Sequence, residues 1–356
     1  MRPGIFEQAV ARLNLLQPEF VMSVGDLIEG YTEDRAQLDH EWREFDDFVA
    51  GLEMPFFYLA GNHDYSNAVM ADIWRTKFGR TAYHFVYGDV LFVCLNSEAA
   101  WVGEDYDDQL RMLDRVLSRH RDARWTMVFI HKPLWLYADS ENSDKHRAWA
   151  FWDQVERRLR GRRHTVFAGH YHNYRKHVRH QSNYFVLATT GGASKLRGPQ
   201  FGEFDHVVWV TMTDQGPRLA NLILEGIWDE NIRTDETAAA LNTLWRRLPI
   251  RAEPVVIDDP AAGLTRLRLR VTNDYDVPMR VTAKSDTNTT VQIGDAGLTV
   301  PPNSVEFVDL PVQFSTSANQ DTAFTGAVDF RLKLFRTTAP HIEISLRYER
   351  PPGSRF

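Results

Sequence analysis

The stretch Phe56-Phe57-Tyr58-Leu59-Ala60-Gly61-Asn62-His63-Asp64 decides how this sequence is read. Five apolar residues in succession have the pattern of a strand covered on both faces. A glycine then turns the chain, and three polar side chains follow at once. In open α/β sheets, sites form at the carboxyl ends of strands, which is where such a turn delivers its polar residues. The pattern recurs along the chain. Run 20–24 ends in Gly25-Asp26, run 125–130 in His131, and run 165–168 in Gly169-His170-Tyr171-His172.

Two more apolar runs, 90–95 and 184–188, lie between amphipathic stretches. Phe6, Val10, Leu13 and Leu16 share one helical face, as do Leu110, Leu113 and Leu117. Strands alternating with helices predict an α/β layered domain over 1–228. Runs 206–212 and 219–224 flank Asp214-Gln215-Gly216-Pro217, which is turn chemistry, and predict a hairpin. Residues 229–249 have the pattern of a connector helix. Thr234 suits its N-cap, Asp235 and Glu236 its first turn, Arg246 and Arg247 its last, and Pro249 stops it. From about 250 to 350 the period changes to two: Leu267, Leu269 and Val271 alternate with Arg266, Arg268 and Arg270. The same rhythm returns at Val277–Ala283 and in runs 330–334 and 342–348, which predicts an all-β, immunoglobulin-like sandwich. The tail beyond residue 349 is expected to fray.

The length of 356 residues suits two domains, and a composition with 43% hydrophobic and 25% charged residues is that of a globular chain. A net charge of −7 provides no global field for nucleic acid or an anionic membrane, and no basic groove interleaved with aromatics is evident. The cluster Arg157, Arg158, Arg160, Arg162 and Arg163 is read as a solvated helix end, with a phosphate-steering patch as the alternative. The single cysteine, Cys94, lies inside an apolar run and is expected in the core. No stretch has the roughly 18 apolar residues of a membrane helix. The sequence from Met1 has no secretory-signal pattern.

Carboxylate, amide and imidazole side chains together suit hard-to-borderline divalent metals. Two such ions held by a bridging carboxylate can stabilise in-line displacement at phosphorus. A lone histidine at a strand end is more often structural, and a lone Gly-Asp is a common turn. Four such segments in this order are far more specific. Trp101, Tyr106, Trp135 and Tyr137 either line a substrate cleft or pack as ordinary loop aromatics. Glu29 either assists the site or is solvated. The segment Thr189-Thr190-Gly191-Gly192-Ala193 is expected to border it.

The series Gly25-Asp26, Gly61-Asn62-His63-Asp64, His131 with Pro133, and Gly169-His170-Tyr171-His172 resembles the calcineurin-like metallophosphoesterase family over roughly residues 5–225. The resemblance implies a layered β-sandwich flanked by helices and a metal-dependent hydrolase of phosphomonoesters or phosphodiesters that uses a metal-bound hydroxide. It implies two divalent ions, Mn, Fe or Zn. Asp26 would bridge them, Asn62, His131 and His170 would complete one site, and His172 would serve the other. His63 would contact the phosphoryl oxygen or protonate the leaving group, and Asp64 would orient His63.

One family motif, an Asp-x-His at the end of a first strand, has no counterpart before Gly25. On the resemblance, one metal site is therefore complete and the other half built, with the first strand of the fold missing. A start-site error or truncation is the favoured expectation, and a signal peptide upstream would make the protein periplasmic or secreted. The competing reading is an inactive or single-metal relative acting as a binding or scaffold module. The partner expected is a small phosphorylated substrate. The sandwich is expected to play a structural role.

Overall fold

The computed structural model describes residues 2–138, 140–223, 226–246, 249–252, 264–285, 291–294, 296–314, 327–334 and 342–349. The expectation for the tail from 350 lies outside them. The chain divides into two compact units, Met1–Asp235 and Glu236–Phe356.

In the first unit, helices α1 (Ile5–Leu16), α2 (Arg35–Ala50), α3 (Ala68–Phe78), α4 (Asp107–Arg119) and α5 (Ser143–Leu159) surround eleven strands. These are β1 (Val21–Met22), β2 (Phe56–Phe57), β3 (Tyr83–Tyr87), β4 (Val90–Leu95), β5 (Trp125–Ile130), β6 (His164–Ala168), β7 (Arg175–Arg179), β8 (Ser182–Val186), β9 (His206–Thr213), β10 (Gly216–Ile223) and β11 (Gly226–Asp229). The largest sheet has six strands in the order β3-β4-β5-β6-β8-β7. Its central strands β4, β5, β6 and β8 are parallel, and β3 and β7 flank them antiparallel. β1 and β2 form a short parallel pair, and β11-β10-β9 a three-stranded sheet containing the predicted hairpin.

The near-continuous apolar runs follow from burial on both faces. Leu91, Val93, Leu95, Val128 and Ile130 pack against Leu113 of α4 and Phe151, Trp152 and Val155 of α5. Their neighbours Val90, Phe92, Cys94, Met127 and Phe129 face the opposite way, onto Phe20, Met22, Val24, Val208 and Met212. A third cluster joins Trp42 and Phe45 of α2 to Met70 and Trp74 of α3. Tyr106, Trp135 and Tyr137 are core residues of the α4–α5 layer, so packing accounts for them. The arginine cluster closes helix ends. Arg158 clasps Asp114, and Arg162 donates to the carbonyls of Leu117 and His120 at the end of α4.

Between the small sheets lies an apolar cavity of about 930 Å³. It is bordered by residues 20–24 around β1 and by 207–212 of β9, and floored by Phe92, Met127, Phe129 and Phe167. Among the described residues, β1 and β9 each pair on one side only. The cavity also reaches Asp26, His131, His170 and His172.

Helix α6 (Asp235–Arg246) falls, after its first residue, within the second unit. Strands β12 (Ile250–Ala252), β13 (Leu264–Asn273), β14 (Met279–Ser285), β15 (Val291–Ile293), β16 (Ala296–Val300), β17 (Ser304–Phe314), β18 (Ala327–Leu334) and β19 (Ile342–Glu349) follow. They form two antiparallel four-stranded sheets, ordered β12-β13-β17-β15 and β16-β14-β18-β19, consistent with a sandwich. Leu269, Val271, Met279, Val281 and Ala283 are buried, and Arg266, Arg268 and Arg270 are exposed, as the period of two requires.

Candidate metal centre

Asp26, Asn62, His131 and His170 come together from turns that follow β1, β2, β5 and β6. Ligand atoms of Asp26, His131 and His170 all lie within 4.8 Å of one another. His131 Nε2 stands 3.2 Å from Asp26 Oδ2 and 3.0 Å from Asn62 Oδ1. Its Nδ1 donates to the Val24 carbonyl at 2.7 Å, so in the neutral ring Nε2 carries a lone pair. In that form the Nε2 lone pair meets the Asp26 and Asn62 oxygens, three acceptor atoms that only a proton on His131 or a bound cation can reconcile. A carboxylate, an amide oxygen and two imidazoles gathered this closely are a donor set that fits a divalent ion in place of that proton.

Two turns interlock to build this cluster. Asp64 is buried and accepts four backbone N–H groups: Asp26 and Gly61 at 2.8 Å, Leu27 at 2.8 Å and Ile28 at 3.2 Å. It therefore ties the Asp26 turn to the Gly61 turn. The orienting of the His63 ring expected of Asp64 falls instead to the Glu29 carbonyl, which accepts from His63 Nδ1 at 2.6 Å. Gly61 is required by close approach, since a Cβ there would sit 2.3 Å from Asp26 Oδ1. Asp26, His170 and His172 all adopt left-handed backbone, with φ of 59°, 73° and 51°. That conformation costs a non-glycine residue roughly 1–2 kcal/mol, and such strain gathers at functional sites.

Charge is arranged to match. Burial works against ionisation of Asp26, but the adjoining His131 draws its pKa well below the usual carboxylate range. Burial likewise disfavours a charged His131, and Asp26 overrides it and raises the pKa. His170 is pushed down to about 3 by burial, then by His131 and Lys132, which keeps its imidazole neutral and able to bind a metal. Asp64 is pushed up to about 7 by burial and the Asp26 charge, against the pull of the Gly61 and Leu27 N–H groups.

His172 lies on the same cavity but outside the three-residue cluster, with Nδ1 donating to the Ala193 carbonyl at 2.6 Å. Thr189, Thr190, Gly192 and Ala193 border that cavity too. Three neighbours escaped the sequence reading. Lys132 pairs with Glu98, both buried, and its ammonium lies 3.6 Å over the Trp101 ring. Tyr31 touches both Asn62 and His63. The position of Lys132 directly after His131 was the one available signal.

Residues 2–174 match the family model described as calcineurin-like phosphoesterase. The serine/threonine-protein phosphatase CPPED1 of Rattus norvegicus is 28% identical over 181 residues, covering 47% of this chain and 58% of the relative. The 3',5'-cyclic adenosine monophosphate phosphodiesterase CpdA of Vibrio vulnificus is 26% identical over 159 residues, covering 43% and 54%. The chain thus spans little more than half the length of these curated relatives. A dimetal phosphatase from Danio rerio superposes with a TM-score of 0.46 at 15% identity, covering 62% of this chain and 85% of that one. With its mixed sheet flanked by helices and its interlocked strand-end turns, the region 2–174 belongs to the calcineurin-like phosphoesterase family.

Proposed function

We propose that this chain is a metal-dependent hydrolase of phosphate esters. The observation that supports it is the convergence of acceptor atoms from Asp26, Asn62 and His131, with His170 beside them, at one strand-end edge. Asp26, Asn62, His131 and His170 would hold one ion, and Asp26 with His172 would contribute to a second, of Mn, Fe or Zn type. Bound there, the ions would supply Lewis acidity at the phosphoryl group and lower the pKa of a coordinated water. His63 is the residue proposed to protonate the leaving group. The Glu29 carbonyl accepts from Nδ1–H, which fixes the ring, and in the imidazolium form the Nε2–H would be the proton given to the leaving group. Both phosphomonoesters and phosphodiesters remain within this reading.

The test is hydrolysis of p-nitrophenyl phosphate and bis(p-nitrophenyl) phosphate with added Mn(II), in the wild type and in His63→Ala. A loss of about 100-fold or more in kcat is expected for the variant, in the range of general acid catalysis. Equal rates would remove His63 from the mechanism. The position of His172 outside the cluster favours a second reading, a single-metal binding module. One equivalent of metal per chain with no turnover of either ester would establish that reading instead.

A further inference from the structure

Glu29, Gly30 and Tyr31 lie against Asn62 and His63. The Glu29 carbonyl holds the His63 ring at Nδ1. Gly30 lies so close beneath His63 that a Cβ would fall 1.7 Å from its carbonyl oxygen. The Gly30 N–H is anchored to Glu41 Oε2 on α2 at 2.8 Å. Tyr31 is 60% exposed and in left-handed backbone, with φ of 53°, a conformation hydrophobic packing does not explain. Its ring meets the His63 imidazole edge-on at 4.6 Å between centroids. Its hydroxyl oxygen accepts from Asn62 Nδ2 at 2.6 Å.

That last bond bears on the candidate metal centre. An amide offers oxygen on one side and NH2 on the other, and only the oxygen can bind a cation. With Nδ2 donating to Tyr31, Oδ1 is left facing His131 Nε2, which itself stands beside Asp26. We infer that Tyr31 is a positioning residue that locks the Asn62 amide with its oxygen toward the ion and braces His63 beside it. This rests on the metal-dependent reading above.

The experiment is calorimetric titration of the full chain with Mn(II) alone, for wild type, Tyr31→Phe, Tyr31→Ala and the control Tyr87→Phe, whose hydroxyl reaches Glu19 away from the cluster. Tyr31→Phe keeps the ring and removes the clamp, so Mn(II) affinity is expected to fall about 10–100-fold, the range for residues that orient a ligand. Its melting temperature should stay at the wild-type value. Tyr31→Ala should match that loss of affinity and also lower kcat beyond Tyr31→Phe, because His63 loses its brace. Unchanged Mn(II) affinity in Tyr31→Phe, with a wild type that binds, would overturn the inference and leave the hydrolase reading standing. A wild type that takes up no Mn(II) would overturn both.

Discussion

Asp64 shows how a residue outside the metal cluster can hold it together. Its two oxygens accept four N–H groups from two turns, and a carboxylate is the side chain that can only accept. Asp64→Asn would turn an NH2 group toward two of those donors. Each buried donor left unpaired costs about 1–3 kcal/mol, so a loss of roughly 3 kcal/mol in urea unfolding is expected. A shift under about 0.5 kcal/mol would refute this account. Asp26, Asn62, His131 and His170 were legible as candidates because each stands within two residues of a near-continuous apolar run. Tyr31 was not, because its contacts depend on left-handed backbone at Gly30 and Tyr31, and no hydrophobic pattern encodes that. Glu29 stood out for its carboxylate but acts through its carbonyl, which any residue would carry.

At the scale of elements, β4 and β5 were legible to the residue, since their runs are buried on both faces. β1 and β2 are shorter than their runs suggest. The Leu59 N–H goes to Ser23 Oγ, and this side chain ends the backbone ladder. Helix α3 was not anticipated, because its buried face rests on Met70, Ala71 and Trp74, with charged residues between and beyond them. His206 at the start of β9 joins two elements. Its Nε2 accepts from the Ala188 N–H just beyond β8, and its Nδ1 donates to Asn221 on β10. Burial pushes its pKa down to about 4 from 6.5, so the native ring is neutral. Between those values the unfolded chain binds the extra proton. The stabilisation is therefore complete above about pH 6.5 and is lost as the pH falls toward about 4, in total roughly 3 kcal/mol. Stability measured by urea unfolding across that window should fall less steeply in His206→Gln than in the wild type. Parallel curves would refute the assignment.

For the whole molecule, the change of period near residue 250, where charged and apolar residues begin to alternate, lies within the second compact unit, which begins at Glu236. What the pattern did not contain was the space inside the first unit, because a cavity arises from the spacing of sheets and not from any one run. The cavity of about 930 Å³ beside β1 and β9 has a mechanical consequence. Unfolding releases internal void volume, so the native state is the larger one and hydrostatic pressure acts against it. The cavity opens to solvent on one side, so only the part of it that stays dry adds to the volume decrease on unfolding, expected within the usual span of about 20–100 mL/mol. Val208 lines the cavity, and Val208→Phe would fill part of it. Pressure unfolding followed by tryptophan fluorescence should give a smaller volume change for that variant, and an equal one would mean the space is already filled with water. The opening beside the candidate metal centre would thus make this protein sensitive to pressure where its chemistry is proposed to occur.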